Sequence, residues 1–175
     1  HSAVFDAVEG YLSVGGNVTT YKATMAVAIS RAYIEAADTA WEEAGAELPL
    51  DAETAAWARS QLDAQLVFAD QLFDTLRELR KEEGIDPGAE ASTRAEGWAS
   101  ALDGYYNETA LRGSNNKVAY WRLGETEKHC KSCSGLDGQG HKISWYIERD
   151  YIPRKNDCAL DCGGWRCDCR LEDKN

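Results

Sequence analysis

The stretch "TYKATMAVAISRAYIEAADTAW", residues 20–41, decides the fold class of this chain. Apolar side chains recur in it every four residues, at Tyr21, Met25, Ile29, Tyr33 and Ala37. That period places them on one face of a helix. We therefore predict a long helix over about residues 17–44, with Asn17 or Thr19 as its N-cap.

Two further long helices are predicted downstream. Asp51 is a favourable N-cap for the second, which ends in "RELRKEEG" at 77–84, with cations in the last turns and a glycine at the stop. The third covers about residues 90–112 and ends at "GSNN", residues 113–116. A shorter helix is expected at about residues 2–11. Packing in a common core accounts for the apolar faces of these helices.

The sequence changes character after residue 116. "KVAYWRLG" at 117–124 is rich in Val, Tyr and Trp and predicts a strand. A second strand is expected near "HKISWYI" at 141–147. The other C-terminal segments alternate Gly, Cys and short apolar pieces, which is typical of loops.

All six cysteines lie in two patches, "HCKSCSGLDGQG" at 129–140 and "CALDCGGWRCDC" at 158–169. The C-x-x-C pair of the first patch can direct both sulfurs at one tetrahedral ion. The second patch ends in a C-x-C pair, Cys167 and Cys169. Side chains two residues apart lie on the same side of an extended segment, so these two sulfurs can also face one ion. Two such half-sites, about 30 residues apart, predict a structural zinc site of four thiolates. The favoured ligands are drawn from Cys130, Cys133, Cys162, Cys167 and Cys169.

Several alternatives to this ligand set stay open. Six cysteines exceed four coordination positions, Cys158 is the least certain member, and His129 can replace one thiolate. Six is also an even number, so disulfides in an oxidising compartment are the competing interpretation. A redox C-x-x-C pair is disfavoured, because such a pair opens a helix after a strand in a βαβ unit and the sequence shows no βαβ pattern.

The sequence thus predicts a mainly α protein. A long-helix bundle at residues 1–116 is followed by a small Cys-rich, zinc-bound β/loop module at residues 117–175. This module has few large aliphatic side chains, and bound zinc can contribute on the order of 10 kcal/mol to ordering such a segment. Trp121, Trp145 and Trp165 are expected to pack around the metal loops.

Charge narrows the range of partners. The formal net charge is −11. Residues 1–116 hold 20 acidic against 8 basic residues, a net of −12, and residues 117–175 hold 10 against 11, a net of +1. The acidic helical segment repels phosphate, so nucleic acid is disfavoured as a partner except as a packaged genome nearby.

No run of about 18 apolar residues is present, so no membrane span is expected. The first residues, "HSAVFDAVEG", suggest a piece of a longer product.

An enzyme is not expected from these residues. His141 beside Cys133 and Asp137 is the nearest approach to a cysteine-hydrolase arrangement. A metal-bound thiolate is not free to attack carbon, and a closed four-thiolate zinc site has no open coordination position. The sequence also has no G-x-G-x-x-G, no P-loop and no G-x-S-x-G.

The tail resembles the C-terminal region of the phage Mu F-like minor head protein family, which acts in head morphogenesis. The resemblance covers about 55 residues, from "YWRLGETEKHCKSCSGLDGQG" to "LDCGGWRCDCRLED". It rests on a Trp-containing strand, a C-x-x-C, an "LDG" turn, a proline and a closing Cys-x-Cys. These elements fall on Trp121, Cys130, Cys133, Leu136, Asp137, Gly138, Pro153, Cys167 and Cys169. Many members carry "HPNC" before the closing Cys where this chain has "DCGGWRC", and this departure leaves the fourth ligand open.

This resemblance implies a structural virion component that associates with capsid or portal proteins. It would be assembled in the host cytoplasm, in several copies per head, and would carry a structural zinc tail. The alternative function is a zinc ribbon that binds nucleic acid. Its candidate contacts are the basic residues around the cysteines, Lys128, Lys131, Lys142, Arg154, Lys155, Arg166 and Arg170.

Overall fold

The computed structural model describes residues 17–79, 81, 87–125, 128–164 and 167–173. These residues form a mainly helical protein with three long helices and a small, Cys-rich strand region at the C-terminal end. The predicted fold class is confirmed at this level. The short helix expected at residues 2–11 lies outside the described residues, as do Trp165 and Arg166.

The three long helices are α1 (Val18–Glu43), α2 (Ala52–Leu79) and α3 (Pro87–Gly113). Asn17 caps α1, since its Oδ1 accepts a hydrogen bond from the Thr19 backbone N–H at 2.9 Å. Asp51 caps α2 in the same way, accepting from the Thr54 N–H at 2.7 Å. Both capping residues match the prediction from sequence.

The described part of the C-terminal region contains three short strands and two short helices: β1 (Val118–Arg122), α4 (Lys131–Leu136), β2 (Gly140–Lys142), α5 (Ile143–Glu148) and β3 (Arg170–Asp173). The strands form an antiparallel sheet in the order β2-β1-β3. The strand expected at 141–147 is wrong beyond Lys142. There the chain turns into α5, which buries Ile143 and Tyr146 on one side at a helical spacing of three.

The chain contains two compact units. The first consists of residues 1–35 and 56–99, and the second of residues 36–55 and 100–175. The Cys-rich segment lies wholly within the second unit. The predicted domain boundary between residues 116 and 117 stays a prediction.

The described part of the first unit has an apolar core supplied by all three long helices: Met25, Ile29, Tyr33, Ala69, Leu72, Phe73, Leu76, Ala91 and Ala95. An ion-pair cluster joins α1 to α2 beside this core. Lys22 Nζ lies 2.8 Å from Asp70 Oδ1 and 3.4 Å from Asp74 Oδ1. The periodic stripe of α1 is therefore a packing face, as its spacing predicts.

The second unit contains a buried charge network that joins α3 to the Cys-rich segment. The Glu108 carboxylate, whose side chain is 4% exposed, accepts from Arg112 Nη2 at 2.7 Å and from Lys155 Nζ at 2.8 Å. Lys155 Nζ also lies 2.6 Å from Asp150 Oδ1. Burial lowers the pKa of Lys155, but the Asp150 and Glu108 carboxylates outweigh it and the pKa is raised. Lys155 is therefore a half-buried ion-pair partner of the buried Glu108 carboxylate.

Among the described residues, no helix combines the length and apolar character that crossing a membrane requires.

Candidate metal centre

The C-x-x-C pair, Cys130 and Cys133, lies at the N-terminal end of α4. Cys130 is the N-cap of this helix, with extended backbone dihedrals, and its Sγ accepts a hydrogen bond from the Cys133 backbone N–H at 3.4 Å. The Cys130 carbonyl accepts from the Ser134 N–H at 3.0 Å. Because a cap and a residue in the first turn share one end of a helix, both sulfurs lie on the same side of the chain. The sequence had predicted only a loop here.

A reciprocal pair of hydrogen bonds joins this turn to the loop that carries Cys162. The Ser132 backbone N–H donates to Asp161 Oδ2 at 2.9 Å, and the Asp161 backbone N–H donates to Ser132 Oγ at 3.0 Å. The two residues are 29 positions apart in sequence, so no local pattern predicts the pair. It fixes the distance between the first and second cysteine patches.

Gly163 and Gly164 lie in a turn directly after Cys162. Both have positive φ, +56° and +75°. A Cβ on Gly164 would lie 1.8 Å from the Lys155 carbonyl oxygen, whereas a Cβ on Gly163 would meet nothing within 4 Å. Both positions favour glycine for backbone reasons, and Gly164 also requires it because the Lys155 backbone is so close.

The two glycines give a matched pair of substitutions. Gly163→Ala should lower the free energy of unfolding by about 1 kcal/mol, because only the left-handed backbone conformation is penalised. Gly164→Ala should lower it by about 3 kcal/mol, because the backbone must also move. Urea denaturation followed by tryptophan fluorescence measures both. Equal losses for the two variants would contradict the close approach to Lys155.

Five thiols gather where these loops meet. The sulfurs of Cys130, Cys133 and Cys162 lie within 4.8 Å of one another, and so do those of Cys133, Cys167 and Cys169. Cys133 Sγ lies 3.9 Å from Cys162 Sγ and 3.7 Å from Cys167 Sγ. Thiolates held at about 2.3 Å from a tetrahedral ion stand about 3.8 Å apart. These clustered cysteines can hold a metal ion.

The structure thus brings together the five cysteines named from sequence. Both thiol groups consist of cysteines alone; Cys158 belongs to neither and is buried in the apolar core. His129 is half-buried, immediately before Cys130. All six cysteines are free thiols in the structure, so no disulfide links the patches. The choice of four ligands among the five thiols stays a prediction.

The thiols influence one another electrostatically. Burial raises the pKa of Cys133, and the neighbouring sulfurs of Cys130, Cys167 and Cys169 raise it further. Burial raises the pKa of Cys130, but hydrogen bonds from Cys133 and Cys162 outweigh it and leave the pKa below its usual range. Placing several thiolates this close is unfavourable without a cation, so binding a metal ion here would release protons.

Two of the other tail residues singled out from sequence, Trp121 and Leu136, pack in the same apolar cluster as some of the thiols. Trp121, Leu136, Cys133 and Cys169 share one buried cluster. The "LDG" turn is tied to β1, since the Gly138 N–H donates to the Trp121 carbonyl at 3.0 Å. Trp121 therefore packs against the Cys-rich loops, as the sequence predicts. Trp145 packs at the edge of the same cluster.

His141 has aromatic and amide partners. Its ring stacks on Trp145 with centroids 3.7 Å apart, and its Nε2 lies 3.1 Å from Gln139 Oε1. These contacts make His141 a structural member of the β2–α5 corner.

Removing the carboxylate of Asp161 should weaken metal binding, because the Ser132–Asp161 pair holds the two cysteine patches together. We expect Asp161→Ala to lower zinc affinity about tenfold or more, as loss of outer contacts does in other metal sites. Competition with a chromophoric chelator measures the change. Asp168→Ala is the control. Asp168 lies beside Cys167, but among the described residues its carboxylate forms an ion pair only with the exposed Arg154, at 2.9 Å. Wild-type affinity in Asp161→Ala would show that the pair does not position the thiols.

Comparisons with protein families, with curated proteins and with solved structures find no match to this chain. Its function is therefore inferred from the residues of the site themselves.

Proposed function

We propose that this chain is a structural component of a phage virion: a minor head protein that associates with capsid or portal proteins during head morphogenesis. The support is the resemblance of the tail motif to the C-terminal region of phage Mu F-like minor head proteins. The acidic helical segment would supply the partner surface, and the Cys-rich segment would be its rigid attachment.

The convergence of the motif residues carries this proposal. The strand tryptophan, the C-x-x-C, the "LDG" leucine and the closing Cys-x-Cys are far apart in sequence, yet they pack into one buried cluster through Trp121, Cys133, Leu136 and Cys169. Pro153 is buried too, and its carbonyl lies 3.4 Å from Asn107 Nδ2 on α3. A motif whose members pack together is more informative than one whose members are scattered over the surface.

Zinc is the metal that we propose for the thiol cluster. Sulfur-only donors favour soft ions, and zinc is the common structural ion in four-thiolate sites. The observed sulfur separations of 3.7 and 3.9 Å match the spacing around such an ion. Bound zinc would order the C-terminal loops, and the Glu108–Lys155 pair would hold them to α3. This role requires no catalysis.

The charge distribution disfavours the alternative, a zinc ribbon that binds nucleic acid. Three of its seven candidate basic residues, Arg154, Lys155 and Arg170, pair with carboxylates. Arg154 pairs with Asp168 at 2.9 Å, and Lys155 pairs with Glu108 at 2.8 Å and with Asp150 at 2.6 Å. Residues neutralised in this way add little to phosphate attraction.

The proposal is tested on heads and immature heads purified from lysates of the phage that encodes the chain. Quantitative mass spectrometry relative to the major capsid protein should find several copies per particle. A phage complemented with Cys133→Ser should incorporate fewer copies than one complemented with Cys158→Ser. Absence of the chain from both kinds of particle would refute the virion role.

A further inference from the structure

The five clustered thiols form two groups rather than one. Cys130, Cys133 and Cys162 make the first group, Cys133, Cys167 and Cys169 make the second, and Cys133 belongs to both. We propose that the cluster binds two thiophilic divalent ions, one in each group, with the Cys133 thiolate bridging them. This inference rests on the metal-binding part of the proposed function and replaces its single four-thiolate ion with two ions of three thiolates each.

The position of Cys133 is what a bridging ligand requires. Its sulfur lies 3.9 Å from that of Cys162, which belongs only to the first group, and 3.7 Å from that of Cys167, which belongs only to the second. Both separations are close to the roughly 3.8 Å between two thiolates on one tetrahedral ion. Each group therefore has the dimensions of three ligands around its own ion.

Counting ligands favours two ions over one. A single tetrahedral ion uses four thiolates and leaves the fifth without a metal in the same cluster. Two ions that share Cys133 use all five, so that each ion has three thiolates and one position left for water or another donor. Cys133 and Cys169, the two ligands closest to the apolar cluster, are both 1% exposed.

The net charge of the cluster also favours two ions. Five thiolates carry a total charge of −5, and two bound divalent ions reduce it to −1. One divalent ion bound by four thiolates leaves a charge of −2, and the fifth thiol has no metal. Soft sulfur donors select ions such as Zn²⁺ and Cd²⁺ over hard oxygen-seeking cations. Zn²⁺ is the proposed occupant, and Cd²⁺ is a suitable probe because its bonds to thiolate absorb in the ultraviolet.

The first test is stoichiometry on the full chain. The protein is stripped of metal under reducing conditions, titrated with Cd²⁺ in the presence of a weak competing chelator, and analysed by native mass spectrometry. We expect two Cd²⁺ in the wild type and in Cys158→Ser, and one in Cys169→Ser. One ion in the wild type would overturn the inference and leave the zinc tail intact. No bound ion would overturn both.

The second test needs no variant. In the ¹¹³Cd NMR spectrum of the protein loaded with ¹¹³Cd, two ions that share a thiolate sulfur give two resonances, each split by coupling to the other. That pattern is the expected result. Two unsplit resonances would refute the bridging role of Cys133, and a single resonance would refute the second ion.

Discussion

Cys133→Ser should abolish tight metal binding, whereas Cys158→Ser should leave it intact. Cys133 belongs to both thiol groups and is 1% exposed, so an ion bound by either group would use it as a ligand. Cys158 is also buried, at 6% exposure, but lies outside both groups. We expect zinc affinity to fall by at least about 100-fold in Cys133→Ser.

The same substitution should loosen the C-terminal region. Bound zinc can contribute on the order of 10 kcal/mol to ordering such a segment, and the buried apolar cluster around Trp121 is small. Amide hydrogen exchange in β1 and α4 should therefore accelerate strongly in Cys133→Ser and little in Cys158→Ser. Equal metal content and equal exchange in the two variants would refute the assignment of Cys133 as a ligand.

Glu108→Gln should strongly destabilise the fold. The Glu108 side chain is 4% exposed and accepts from both Arg112 and Lys155. Removing one partner of a buried ion pair leaves uncompensated charge, which typically costs about 3–5 kcal/mol. Urea unfolding at neutral pH measures the loss.

Glu53→Gln is the matched control, because Glu53 meets the same Arg112 from the surface. Its side chain is 91% exposed and lies 3.9 Å from the guanidinium, so we expect a loss below about 0.5 kcal/mol. The raised pKa of Lys155 also predicts that stability depends on pH. The stabilisation from its ion pairs is complete below the ordinary lysine pKa of 10.5 and is lost as the pH rises through the raised value. Equal losses in the two Glu variants would contradict the buried network.

The long helices could be predicted because their signals are local and repeated. The four-residue spacing from Met25 to Ala37 and the caps at Asn17 and Asp51 each lie within one element. The short helices α4 and α5 give no such signal, since six residues hold less than two turns. "HKISWYI" favours a strand by composition, and only the burial of Ile143 and Tyr146 on one face makes most of it a helix.

The thiol cluster could be predicted from spacing, but its supports could not. C-x-x-C and C-x-C are short-range patterns that identify metal-ligand candidates. The Ser132–Asp161 and Glu108–Lys155 pairs join residues 29 and 47 positions apart, and nothing in a single sequence marks them as partners. Strand β3 has the polar sequence RLED and forms through pairing with β1, which propensity does not reveal.

We expect sulfurs that are distant in sequence to bind zinc and thereby order the Cys-rich segment. The decisive measurement is zinc content together with thiol reactivity on one sample of the purified native chain. At least one zinc per chain should be found, and the buried thiols should become reactive only after chelation. A metal-free folded chain, or one whose six cysteines react incompletely after denaturation because they are disulfide-bonded, would contradict it.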